Sequence, residues 1–479
     1  MNNLSYIDLI VIAVGIIILS LIGFIKGRKN EDSLDFFLAS RKSSVWVSTF
    51  SFVASEISAM TIVGVPAVSF KDNWSYLQFF LGSAVSRMII AYFFIPVFYR
   101  YNCTTIYDFL GQRFHRGIQF TSSIFFFITR LLASGIRLYA TALAISVIIG
   151  LNINLTIFLF LLISFLFIGF GGMKSVLYTG VYQALSFYIM AVLVLGFIFI
   201  SKDFSLSGFY TTSLLDGKLK IFNFSLNFKE PDIFLLAILN GVFGSLASFG
   251  TDYEMMQRLL TLKTRAQSQK TMAYTIIATL VLVILYLTLG TSIYIFLKAN
   301  SIKYLDNSDK IVSYFAVNFL PHGFRGFVFL TVFLASIDLP LVSLSTSFVN
   351  DIYLKFKNIG EQEKIKVTRL AMFFFAILLS VIAIVSQKVE GMLWFAFEIN
   401  GITSGSLLGV FLLGIFTNYQ GNKIIIFSMI FSSLLCLSFM ILNRIQITNV
   451  PWSSFVVIGT IISFFFPQII SKITLKKYL

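Results

Sequence analysis

Histidine and cysteine are almost missing from this chain, with two of each in 479 residues. The cysteines, Cys103 and Cys436, are too few for a disulfide scaffold or a thiolate metal cluster. The histidines, His115 and His322, fall in loops, and neither belongs to a His-Glu-x-x-His or Gly-x-Ser-x-Gly pattern. The base, nucleophile and metal sets of a hydrolase are therefore absent, and an enzyme is not expected. Charge is scarce too: 12% of residues are ionisable Asp, Glu, Lys or Arg, against about 25% in soluble domains. What fills the chain instead is apolar, 57% hydrophobic with a mean hydropathy of +0.89. Such a chain has the bilayer as its solvent.

Windows of about 19 residues give roughly thirteen spans, near 5–25, 44–70, 75–99, 118–150, 152–171, 178–201, 233–259, 270–297, 324–353, 365–386, 391–417, 422–442 and 452–471. The first has no basic leader and reads as a retained helix, not a cleaved signal. Several spans exceed the ~20 residues a perpendicular helix needs, so tilts, kinks or breaks are expected. The polar segments 202–231 and 354–364 are too short to bury a core of their own. The expectation is a single all-α polytopic membrane domain over 1–479.

The net charge of +15 describes topology. With the N-terminus outside and the C-terminus cytoplasmic, most basic residues fall in inner loops, among them Lys26, Arg41, Arg113, Lys174, Arg258, Lys263, Lys355, Lys364 and Lys472. That obeys the positive-inside rule. Scattered over short loops, these charges form no nucleic-acid patch. Lys174 and Arg258 read as orientation charges. Three arginines, Arg87, Arg130 and Arg137, lie inside spans, and no lysine falls in the middle of one.

Acids inside spans carry the functional signal, because an ionised carboxylate in hydrocarbon must face a cavity, a cation or a partner. Asp338 stands two residues before Pro340, which cannot donate to the carbonyl of Ser336. A carboxylate beside a freed carbonyl offers oxygens to a bare cation. Glu56 sits in a second interruption, Ala54-Ser55-Glu56-Ile57-Ser58-Ala59, followed by Gly64 and Pro66. A third, from Gly241 through Gly244, Ser245, Ser248, Phe249, Gly250 and Thr251 to Asp252, is rich in helix breakers. The second and seventh spans are five apart, the spacing of an inverted five-helix repeat with solute and ions between its halves.

These tracts resemble the sodium:solute symporter family, whose members carry sugars, proline, sialic acid, iodide, vitamins and short monocarboxylates. The resemblance rests on Phe52–Thr61 with Gly64-Val-Pro66, on Gly171–Val176 with Tyr178–Gln183, and on Gly250-Thr-Asp252 with Gln257-Arg258. It continues through Ala335-Ser336 to Asn350-Asp-Ile-Tyr353 and through Phe411–Phe416. It implies a LeuT-like fold, with repeats over 44–201 and 233–417 and peripheral helices at 5–25 and 422–471. It also implies a sodium ion on the carbonyls of Ala54, Ile57 and Val332. The family's paired hydroxyls fall on Ala335 and Ser336, so one is missing, and Asp338, one helical turn on, is the replacement ligand we expect. An aspartate that holds a second sodium in some relatives falls on Gly180.

For the solute, the resemblance points to Glu56, Ser58 and Thr61 at the first interruption, with Phe249, Glu398 and Asn400 elsewhere on the cavity. Glu56 is open to three readings: it accepts from sugar hydroxyls, attracts an ammonium, or serves the cation. Arg137 offers a carboxylate fork. The sialic-acid carriers place their arginine at Ala133 and their cavity glutamine at Phe80, with Gln78 nearby, so that substrate is not assumed. The expected activity is sodium-coupled import of a small polar organic solute, such as a sugar, sugar acid or monocarboxylate, in a bacterial inner membrane. Proton coupling through Asp338, pairing of Asp338 with Arg130 or Arg137, and a solute sensor without transport stay open, as does oligomeric state.

Overall fold

The structure is a computed structural model and describes residues 4–27, 33–149, 151–201, 205–227, 230, 232–303, 308–337, 340–388 and 392–476. Its described regular elements are helices. Nine are long and apolar enough to cross a membrane, and two bent pairs raise the number to as many as 11. Two shorter apolar helices, Ile153–Leu162 and Phe324–Ala335, occupy the remaining expected spans.

The two bent pairs position everything functional. Val45–Glu56 and Ala59–Lys71 meet at 63°, and Phe234–Gly250 and Tyr253–Leu260 at 62°. At the first break Ile57 and Ser58 are extended (φ −82°, ψ 104°; φ −105°, ψ 175°). Ser55, Glu56 and Ser58 offer the backbone alternatives to helix in the place where β-branched Ile57 favours an extended chain. At the second, a wide π-helical turn over Leu246–Gly250 ends the first half. Asp252 then restarts the chain by accepting from Glu254 N at 2.9 Å, an N-cap for Tyr253–Leu260. Both breaks fall in the polar and glycine-rich interruptions read from the sequence. Each leaves helix-terminal backbone groups without partners in the helix, available to an ion or a solute.

Close helix crossings depend on glycine. The chain from Ile153 to Ile200 turns at Gly172, whose φ of 57° and ψ of −159° belong to a region open to glycine alone. That residue separates the fifth span from the sixth. Beyond it, a side chain on Gly180 would meet Ser51 Oγ at 2.8 Å and Ser51 Cα at 2.9 Å. That position is thus packed closely against the first broken span.

The first span is fastened to the ninth through buried Asp8. Asp8 Oδ2 accepts from Arg325 Nη2 at 2.6 Å and Nε at 2.9 Å, and Oδ1 from Gly323 N at 2.8 Å and Gly326 N at 3.0 Å. Substituting Gly172 by alanine should cost about 1–3 kcal/mol, the strain of a side chain in that region. Thermal unfolding of purified wild type and Gly172→Ala in one detergent checks this.

Candidate solute and cation site

A cavity of about 200 Å³ lies against both breaks. Glu56, Ile57, Ser58 and Thr61 form one wall, and Ser245, Ser248, Phe249 and Asp252 face them from the second broken span. Arg130 and Arg137 come from Arg116–Ile149, Asn400 and Ser404 from Met392–Phe416, and Tyr76, Phe80 and Ser83 from the third span. Most of these residues lie on the Lys71 side of the breaks, so the cavity extends toward the end where Lys71, Tyr76 and Phe234 are found.

Below the breaks, ion pairs and hydrogen bonds close the bundle. Arg130 pairs with Glu254 and with Asp252, the latter at 3.4 Å, and Arg258 Nη1 donates to the Glu254 carbonyl at 2.6 Å. Tyr107 donates to the Thr251 carbonyl at 3.0 Å, Tyr253 to that of Thr104 at 2.9 Å, and Gln257 to that of Phe37 at 2.7 Å. Asp351, fully buried, accepts from Thr105 and Gln119 at 2.8 Å and from Ser347 at 2.6 Å. These bonds give Thr251, Asp252, Gln257, Arg258 and Asp351 of the signature tracts structural partners. Arg258, read from sequence as an orientation charge, is instead buried at 2% exposure inside this network. Lys174 has a structural partner as well, Asp35 at 2.7 Å.

A model of the sodium:solute symporter family matches residues 36–431. The chain belongs to that family. Relatives of this symporter include a putative sodium-dependent multivitamin transporter of Drosophila melanogaster, 26% identical over 91% of this chain and 75% of that one. The sodium/sialic acid symporter NanT of Aliivibrio fischeri is 25% identical over 82% of this chain and 80% of its own. The symporter shares its LeuT-like fold with a sodium-coupled sialic acid symporter solved in a substrate-bound outward-open state. That match has a TM-score of 0.88 at 21% identity and covers 98% of each chain.

Of the solute residues expected from sequence, Glu56, Ser58, Thr61, Arg137, Phe249 and Asn400 all line the cavity of the symporter. Arg137 Nη1 also donates to the Ser55 carbonyl at 3.2 Å, and Asn400 Nδ2 to Ser248 Oγ at 3.0 Å. Gln78 and Glu398 are not among the lining residues. Gln78 is fully buried and bonded to the segment that precedes the second broken span, donating to Asp232 O at 3.0 Å and accepting from Asn223 N at 3.1 Å. Glu398 faces Arg444 at 3.4 Å. For the cation, Ala54, Ile57, Val332 and Ala335 share one buried cluster across the two helices. Asp338 and the side chain of Ser336 lie outside the described residues.

Four residues that sequence reading did not assign to the solute or cation site stand at or behind this cavity. Arg87, fully buried, pairs with Glu56, and Thr279 Oγ1 donates to Glu56 Oε2 at 2.7 Å. Ser404 Oγ is buried at the wall with no hydrogen-bond partner among the described residues. Asp252 was noted only as part of a break. Arg87 had left one signal, a charge inside a span, but its partner stands 31 positions away on another helix.

Removing Arg130 leaves Asp252 and Glu254 short of a cation, so Arg130→Met should destabilise by about 3–5 kcal/mol. The double variant Arg130→Met/Glu254→Gln should recover part of that loss. Urea or thermal unfolding of the two variants in detergent checks the pair.

Proposed function

We propose that this symporter uses an inward sodium gradient to import a small polar organic solute bound in the cavity between its two broken helices. The observation that carries this reading is the coincidence of one cavity with both helix breaks and with the polar side chains Glu56, Ser58, Thr61 and Asn400. Terminal backbone dipoles and a few convergent polar groups are what a transporter uses to hold solute and ion together. The relatives' sodium-coupled transport of vitamins and sialic acid fits the same reading.

In this account sodium sits on the carbonyls of Ala54, Ile57 and Val332, with Ser336 and Asp338 completing the oxygen set. Membership of Ala54, Ile57 and Val332 in one buried cluster supports the carbonyl part. The assignment of Ser336 and Asp338 rests on the sequence, with Pro340 just ahead of Leu341–Ser347 as the helix breaker. The tight contact of Gly180 with Ser51 supports placing the acid on the ninth span and not the sixth. With the N-terminus outside, the cavity opens outward and the Arg130–Asp252–Glu254–Arg258 network is the inner barrier. Alternating access then requires that network to part while the outer halves close. The bacterial relative is consistent with a bacterial cell membrane.

Uptake into proteoliposomes under imposed sodium or proton gradients, across sugars, sugar acids, amino acids and monocarboxylates, tests the function. Sodium-driven accumulation of one class is expected, with Asp338→Asn raising the sodium half-saturation at least ~tenfold, about 1.4 kcal/mol of lost ion binding. Uptake driven by a proton gradient alone would sink sodium coupling.

A further inference from the structure

Glu56 ends Val45–Glu56 at the first break, and 14% of its side chain is exposed. Both of its oxygens are engaged from behind. Oε1 accepts from Arg87 Nη2, and Oε2 from Thr279 Oγ1 at 2.7 Å. Arg87 Nη1 lies 3.4 Å from the same hydroxyl, which closes a triad across the first broken span, the third span and Arg265–Ala299. The Arg87 guanidinium has no exposed surface. It is walled by aromatic rings, with centroids of Phe249 at 4.8 Å, Phe80 at 5.8 Å and Phe52 at 6.0 Å. Its polar contacts with cavity-lining residues are to Glu56 and Thr279.

This arrangement decides among the three roles open to Glu56. A carboxylate already balanced by a buried guanidinium is locally neutral, so a sodium ion or ammonium beside it would leave an uncompensated charge in a low dielectric. Its acceptor capacity is not exhausted, because a carboxylate has about four lone-pair sites and two are used. Neutral O–H donors can fill the others. Around it, Ser58, Thr61 and Ser83 add hydroxyls, and Tyr76 and Phe80 add flat apolar faces. Of the other charged lining residues, Arg130 and Asp252 pair with each other, and Arg137 donates to the Ser55 carbonyl.

We propose that the Glu56–Arg87–Thr279 triad is a specificity element that reads hydroxyl groups of a polyhydroxylated solute and rejects cations. Glu56 is the contact, while Arg87 and Thr279 are positioning residues. The proposal rests on reading the cavity as the solute site.

The test is equilibrium binding to purified protein in nanodiscs by calorimetry, which needs no gradient. The probes are a neutral hexose, the matching hexosamine, the matching hexuronate and a short monocarboxylate without hydroxyls. Wild type should bind the hexose or the hexuronate more tightly than the hexosamine. Arg87→Gln unmasks the Glu56 charge and should shift preference toward the hexosamine by ~tenfold. Glu56→Gln unmasks Arg87 and should shift it the opposite way, toward the hexuronate. Glu56→Gln/Arg87→Gln, neutral again, should return to the wild-type order, and Arg87→Lys should keep it. The sodium half-saturation should stay within ~twofold throughout. The proposal is overturned if wild type prefers the hexosamine, if only the hydroxyl-free monocarboxylate binds, or if these variants move sodium affinity as far as solute affinity. Hexose binding without sodium-driven uptake would sink the transport reading and leave the triad standing.

Discussion

A charge carried into hydrocarbon must meet its opposite there, and the architecture of this protein turns on where those meetings occur. Arg87 meets Glu56 at the first helix break, Arg130 meets Asp252 and Glu254 at the second, and Arg325 meets Asp8 at the start of the ninth span. Each pair joins elements distant in sequence. Without its partner, either residue of a pair would carry several kcal/mol of desolvation uncompensated. The pairs therefore fix how the broken helices sit against the scaffold, and through that they fix the cavity.

The distribution of bonds around the cavity is unequal. On the far side of the breaks, Tyr253 and Gln257 tie Tyr253–Leu260 to the carbonyls of Thr104 and Phe37, and Arg130 pairs with Glu254 of the same helix. On the Lys71 side, aromatic faces and small hydroxyls line the cavity. Parting the first set requires rebuilding a buried charge network, which ligand-driven differences in binding free energy have to supply. In the proposed account, a sodium ion on the freed carbonyls and a solute between the breaks would touch the halves that must move.

The spans and both breaks were legible in the sequence because they depend on local signals. Apolar length marks a span, and Ser55-Glu56-Ile57-Ser58 or Gly241-to-Asp252 marks an interruption. Residues beside an interruption, Ser58, Thr61 and Phe249, were placed on the cavity because a break fixes what surrounds it. Gln78 and Glu398 went elsewhere, since proximity to a cavity span says nothing of the direction a side chain takes around the helix. Arg87 and Thr279 escaped notice because their meaning is a pairing across three helices. Arg258 was misjudged for a related reason: a charge near a span end reads as a loop charge until Glu254 is seen beside it. Gly172, by contrast, was already in a signature tract, and its positive φ supplies the reason.

Reactivity of a cysteine at the cavity wall tests the central claim most directly. Cys103 and Cys436 are both buried, so Ser245→Cys provides a specific handle for a membrane-impermeant maleimide. The account predicts labelling from the N-terminal side of the membrane, faster in sodium than in potassium, and protection by the transported solute. Labelling confined to the opposite side, or indifferent to both sodium and solute, would contradict a solute cavity governed by the ion.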